Sequence, residues 1–224
     1  NLFRASYNLV RNTMHDRRVF LAIMAISFFW TIGSVLFIQF PPLAKNVLHA
    51  SKQVASLFLV IFSVGVAIGS MTISAMLRGK VSARWSSPSV IFMGIFVALF
   101  YLVCRYWTDG GANSLNDTAD FVAQPYAIPL MLTLLGIAIS GGMFVVPLYA
   151  FLTTFVDKSQ TARTIAANNI VNSFAMVIGA AISMGLAAAG LRIQEQLLLS
   201  AAMCVISAWL GHVLYRAEVE ARIP

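Results

Sequence analysis

Residues 161–191 read TARTIAANNIVNSFAMVIGAAISMGLAAAGL, and from Thr164 onward no residue is charged. At about 1.5 Å rise per residue, roughly 20 residues of helix cross the ~30 Å of bilayer hydrocarbon, so this run is long enough to span. It shows none of the period-two alternation of a barrel strand. Yet Asn168, Asn169 and Asn172 fall within five positions. An unpartnered amide in hydrocarbon costs several kcal/mol, so lipid cannot surround this segment on all sides.

At about 100° per residue, Asn168, Asn172, Ala175, Gly179 and Ser183 share one face, with Asn169 and Met176 beside it. Ile170, Val171, Phe174, Val177 and Ile178 cover the reverse. The bulky side suits acyl chains, and the small, polar side must meet protein or water. One reading is a close helix contact in which Asn bonds across the seam. The other is the wall of a polar cavity. Three amides so close together favour the cavity.

The same reading extends along the chain. Of its 224 residues 59% are hydrophobic and 10% charged, with a mean hydropathy of +0.83, which excludes an ordinary soluble domain. Six spans are expected, at 19–40, 54–77, 90–106, 126–152, 164–191 and 197–215, preceded by a basic lead-in (1–18) and followed by a short tail (216–224). The fold class is an all-α polytopic membrane protein. The chain starts at Asn1 instead of Met and carries no cleavable leader pattern, so it reads as part of something longer.

Lys and Arg set the orientation. Arg4, Arg11, Arg17 and Arg18 precede the first span; Arg78, Lys80 and Arg84 follow the second, Lys158 and Arg163 the fourth, Arg216 and Arg222 the sixth. The other side holds Lys45, Lys52, Arg105 and Arg192. Eleven against four places both termini in the cytoplasm. Asp109, Asp117 and Asp120 belong to the outer loop. Basic loops on an anionic leaflet account for the +7 net charge without nucleic acid.

The other spans carry weaker signals. Gly65 and Gly69, four apart with Ser63, Ser70 and Ser74 nearby, suit tight helix packing. Gly136, Ser140, Gly141 and Gly142 precede Pro147, which should loosen its helix. Thr31 and Ser34 can bond backbone carbonyls. Gln39, just before Pro41 and Pro42, is larger and harder to satisfy. Cys104 and Cys204 read as core residues, and no metal or cofactor set is expected. Asn116-Asp117-Thr118 matches a short acceptor motif too common to carry weight. The spans hold almost no ionisable group beyond His212 and Arg105, and no acidic proton relay; every Asp and Glu is expected in a loop or the tail.

SFFWTIGSVLFIQFPPLAKNVL (27–48), FSVGVAIGS (62–70), GGMFVVPLYAFLTTF (141–155) and TARTIAANNIVN (161–172) resemble the C-terminal six-helix half of bacterial lysophospholipid transporters of the major facilitator superfamily. This module is also found fused to acyltransferase and acyl-carrier-protein synthetase domains. The resemblance runs along essentially the whole chain and is most specific at 162–170 and 146–150. It implies a bacterial inner-membrane carrier half that pairs with a missing N-terminal half and moves lysophospholipid, such as lysophosphatidylethanolamine, inward for reacylation. Asn168, Asn169, Asn172, Gln39 and Thr31 are then candidates for the substrate path, with Pro147, Gly141, Gly142, Gly65, Gly69 and Gly179 as hinge or packing positions. Two departures stand out. Relatives often carry Gln where this chain has Thr153, and residues 69–84 are a degenerate form of the superfamily's loop signature.

Three alternatives remain. The chain could carry another amphipathic solute. Ser140 with His212 could form the dyad of an intramembrane serine protease, although Ala138 stands where that motif needs Gly. Six helices could also merely anchor a soluble partner, but one span suffices for that.

Overall fold

The computed structural model describes residues 2–107 and 115–221. It contains α1 (Leu2–Thr13), α2 (Arg17–Asn46), α3 (Lys52–Leu77), α4 (Ser86–Arg105), α5 (Thr118–Val122), α6 (Ala127–Phe155), α7 (Lys158–Ala188) and α8 (Ile193–Glu220). Among the described residues there is no strand, only an isolated bridge between Ala50 and Asn116. Six helices, α2, α3, α4, α6, α7 and α8, are long and apolar enough to cross a membrane. The protein is an all-α, multi-pass membrane protein. Asp109 and Arg222 lie outside the described residues.

Helices α2, α3 and α8 contain their expected apolar runs whole, while α4 stops at Arg105, α6 begins at Ala127 and α7 ends at Ala188, one to three residues inside the expected 106, 126 and 191; most extend beyond the run at one end or both. Helix α2 continues through Pro41 and Pro42 to Asn46, and α7 begins at Lys158, six residues before its apolar run. Polar residues at these ends lie beyond the hydrocarbon, so hydropathy does not register them as helix. Asp16 starts α2 by accepting the Arg18 N–H at 2.8 Å. Helix α8 runs through 216–220, where a separate tail was expected, because Ala217 and Glu218 are buried there.

Loop contacts sort the helix ends onto two faces. The 47–51 turn pairs with Asn116, Ser51 N–H donating to the Asn116 carbonyl at 2.9 Å, and Gln194 at the start of α8 reaches the Cys104 carbonyl at 3.5 Å. On the other face, the Arg18 guanidinium lies 3.8 Å over the Phe155 ring, and Glu218 accepts the Ala83 N–H at 2.8 Å. That face carries α1 and the Arg78, Lys80 and Arg84 turn; it is called the basic face below.

The packing repeats within the chain. Helix α3 packs on α6 as α7 packs on α2; α4 packs on α6 as α8 packs on α2; α4 and α8 pack on each other, and α2 on α6. Exchanging α2-α3-α4 with α6-α7-α8 therefore leaves the main helix contacts unchanged, the slight α7–α8 contact aside. Because each triad crosses three times, the two run in opposite directions, which is an inverted-topology repeat. Both central helices carry a proline in their C-terminal third, Pro41 in α2 and Pro147 in α6, and both stay helical past it.

Backbone proximity fastens α3 to α6. A Cβ on Gly69 would collide with the Ile139 carbonyl, and one on Gly142 would stand 2.6 Å from the Val66 carbonyl. Gly65 meets Ala138, and Gly141 faces Phe29 of α2. These glycines let two helices approach where no hydrophobic force drives them together.

Candidate functional site: the α2–α7–α8 groove

Helix α7 buries its small, polar side. Thr164, Ala167, Asn168, Asn172, Gly179 and Ser183 are its buried or nearly buried positions, while Ile170, Phe174, Val177, Ile178 and Ile182 are exposed. The buried side meets α2: a Cβ on Gly179 would strike the Thr31 methyl.

The three amides separate into three environments. Asn172 is plugged into its neighbours, its Oδ1 accepting the Ser27 hydroxyl at 2.7 Å and its Nδ2 reaching the Tyr149 hydroxyl at 3.4 Å. Tyr149 in turn accepts the Trp30 indole N–H at 2.8 Å, so one network ties α2, α6 and α7. Asn168 is fully buried; its Nδ2 reaches Asn169 Oδ1 at 3.4 Å, and its own Oδ1 has no partner among the described residues. Asn169 is exposed. The expectation that this amide-bearing face borders a polar cavity is corrected for Asn172, which sits in a protein seam. The helical angle identifies a face but not what lies across it.

A second polar cluster closes the same seam near the opposite face. Gln39 Nε2 donates to Gln196 Oε1 at 2.9 Å and lies 3.4 Å from Ser183 Oγ. Ser183 Oγ donates to Gln196 Oε1 at 2.6 Å. All three are buried, and Gln39 Oε1 has no partner among the described residues. Gln196 was missed by sequence reasoning. It sits in Ile193-Gln194-Glu195-Gln196, which reads as a loop, and only its place one residue before an apolar run hinted at a helix. Thr31 donates to the Ser27 carbonyl at 2.8 Å and Ser34 to the Thr31 carbonyl at 2.9 Å, as expected of membrane hydroxyls.

Between the clusters α7 and α8 stand apart over α2, leaving a groove of about 450 Å³. Phe28, Phe174, Ile178, Ile182, Leu199 and Met203 form its walls; Ser27, Thr31, Gly179 and Ser183 lie at its base. No charged residue lines it. A flexible hydrocarbon chain fits such a surface, and ions do not.

Ser140 and His212 are not brought together. Ser140 is buried in α6, His212 is exposed on α8, and both helices pack on α4. Glu218 departs from its expected tail position: it is buried, and accepts the Ala83 N–H at 2.8 Å and the Ser82 hydroxyl at 3.2 Å. Cys104 and Cys204 are buried and unpaired by disulfide.

Compared with family models, curated proteins and solved structures, the chain finds no match.

Proposed function

We propose that this chain is the six-helix half of a major-facilitator-type carrier that moves a single-chain phospholipid, lysophosphatidylethanolamine or a close analogue, between leaflets of the bacterial inner membrane. The observation that carries this reading is the groove: an uncharged, apolar slot about 450 Å³ in volume, set on a seam whose two ends hold neutral hydrogen-bonding groups. A lysophospholipid presents one acyl chain and a hydrogen-bonding head, and the slot and the amide clusters suit these in turn. Gln196, which lines the groove, and Gln39, bonded to it at 2.9 Å, set amide groups at one end of the slot for such a head. The inverted repeat supports the carrier reading, because such repeats are the usual frame of alternating access.

On this reading the basic face is cytoplasmic, a second six-helix half supplies the facing wall, and an acyltransferase, fused or separate, consumes the delivered lipid. The exposed Asn169 faces the shared path, since an amide at mid-helix depth is disfavoured against lipid. The test is uptake of head-group-labelled lysophosphatidylethanolamine by proteoliposomes containing the natural full-length polypeptide. Ala175→Trp, which fills the groove, is expected to cut uptake at least tenfold. Ile91→Trp, on an exposed face away from the groove, is expected to leave it unchanged. Equal uptake by both variants would overturn the assignment.

A further inference from the structure

A second cavity, unrelated to the groove, opens on the basic face. It has a volume of about 760 Å³ and lies between α1, the start of α2 and the turn joining α6 to α7. Its lining mixes apolar groups such as Leu9, Val19 and Phe155 with both signs of charge: Arg18 and Arg163 as cations, Asp16 and Asp157 as carboxylates, and Asn8, Asn12 and Gln160 as amides.

The charges are unequally committed. Asp16 is engaged, capping α2 and lying 3.5 Å from Arg18. Arg18 stacks on Phe155, which fixes its guanidinium at the cavity wall. Asp157 and Arg163 have exposed side chains, and no hydrogen bond or ion pair joins either one's charged group to another described residue. The cavity thus offers two arginines, Arg18 partly paired with Asp16 and Arg163 unpaired among the described residues, and a separate, uncommitted carboxylate.

Helix α1 places this cavity at the membrane surface. Arg4, Asn8 and Arg11 share one side of it, with Tyr7 between the two arginines, and Leu9, Val10 and Thr13 lie across from them. Tyr7 is 65% exposed. A short amphipathic helix that carries two arginines and an exposed tyrosine suits the headgroup zone. The cavity lies beside this helix and at the start of α2, ahead of the apolar run that begins at Val19, and so at headgroup depth.

We propose that this cavity holds the zwitterionic head of a phosphoethanolamine-type phospholipid from the adjoining leaflet. Arg18 and Arg163 receive the phosphate, for which guanidinium is the favoured partner, and Asp157 receives the ammonium. A purely anionic head would meet the Asp157 carboxylate unfavourably. A primary ammonium can donate hydrogen bonds to Asp157 and to the amide oxygens of Asn8, Asn12 and Gln160, which a quaternary ammonium cannot, so a primary amine is favoured. The occupant is a resident lipid and its site is separate from the groove, so the inference does not depend on transport.

Native mass spectrometry of the full-length protein, equilibrated with detergent micelles containing phosphatidylethanolamine, phosphatidylcholine or phosphatidylglycerol, tests it. Phosphatidylethanolamine is expected to be retained at least tenfold better than either alternative. Arg163→Gln should abolish retention of all three. Asp157→Asn, which keeps a good helix-capping residue, should remove discrimination, so that phosphatidylglycerol binds as well as phosphatidylethanolamine. Soluble glycerophosphoethanolamine separates the two sources of this chemistry. Failure to displace the lipid supports a membrane occupant, whereas displacement at equimolar concentration overturns it in favour of a soluble phosphoester. Equal retention of the three lipids by the unmodified protein, or unchanged selectivity in Asp157→Asn, also overturns the proposal.

Discussion

If Asn172 is a seam residue, it should be energetically coupled to Ser27. The hydroxyl of Ser27 donates to Asn172 Oδ1 at 2.7 Å across two helices that otherwise meet largely through small residues. Interhelical hydrogen bonds of this kind in membrane proteins contribute about 0.6 kcal/mol on average and about 1.7 at most. This one is short and buried at both ends, so a value near ~1 kcal/mol is expected. It does not reach the full cost of an orphaned polar group, because Ser27 can turn back to a carbonyl of its own helix and Tyr149 keeps the Trp30 N–H. A double-mutant cycle of Ser27→Ala and Asn172→Ala isolates the term. Cys104 and Cys204 are buried, so a fluorogenic maleimide reports unfolding without any added label. A coupling of about 1 kcal/mol corresponds to roughly 2–4 °C in the melting temperature of a chain this long. Strictly additive single effects would show that the bond does not hold the helices together, and the seam assignment of Asn172 would fail.

Other substitutions separate the remaining roles. Asn169→Leu should lower the melting temperature only slightly, through loss of the 3.4 Å acceptor of Asn168 Nδ2, yet lower lysolipid uptake several-fold in protein that stays folded; full uptake would remove Asn169 from the path. Gly69→Ala places a methyl against the Ile139 carbonyl and should destabilise by about 1–3 kcal/mol. Gly33→Ala meets nothing within 4 Å and should be neutral or slightly stabilising, and thermal melts of the two variants would check both outcomes. Glu218→Ala strands the Ala83 N–H and should destabilise by about 1–3 kcal/mol. Limited proteolysis of the 78–85 turn, slower in Glu218→Gln than in Glu218→Ala, would show that it is the acceptor atom that matters.

The spans were legible because a bilayer tolerates few alternatives to a long apolar helix. The face of α7 was legible because three amides and a glycine fall at helical spacing. What each amide touches was not, since that depends on which helix lies opposite. Asn168, Asn169 and Asn172 look alike in sequence and end up buried without a full set of partners, exposed, and bonded into a network. Helix α1 was hidden for a different reason. Its apolar positions recur every three to four residues among arginines and asparagines, so mean hydropathy is low while one side is still apolar. Glu218 was hidden by its neighbours: it sits between Arg216 and Glu220, in a charged run that normally faces water, and only the folded turn at Ala83 supplies the N–H that draws it inside.

The inverted repeat makes the two outer seams comparable, and the comparison shows which of them can move. Helix α3 is fixed to α6 by backbone against backbone, through Gly65, Gly69 and Gly142. Close-packed backbones resist sliding because any shift produces overlap. Helix α7 meets α2 through one glycine and two side-chain clusters, and each cluster has an acceptor, Asn168 Oδ1 beside the first and Gln39 Oε1 in the second, that no described residue satisfies. Side-chain hydrogen bonds can be exchanged for others of similar energy, and an unsatisfied acceptor lowers the cost of leaving the present arrangement. The α2–α7 seam is therefore the one along which the triads can be displaced, and it is also the seam that floors the groove. A molecule lodged between α7 and α8 would bear directly on the more deformable of two otherwise equivalent contacts, and this is how occupancy of the groove would be linked to a change in the shape of the half.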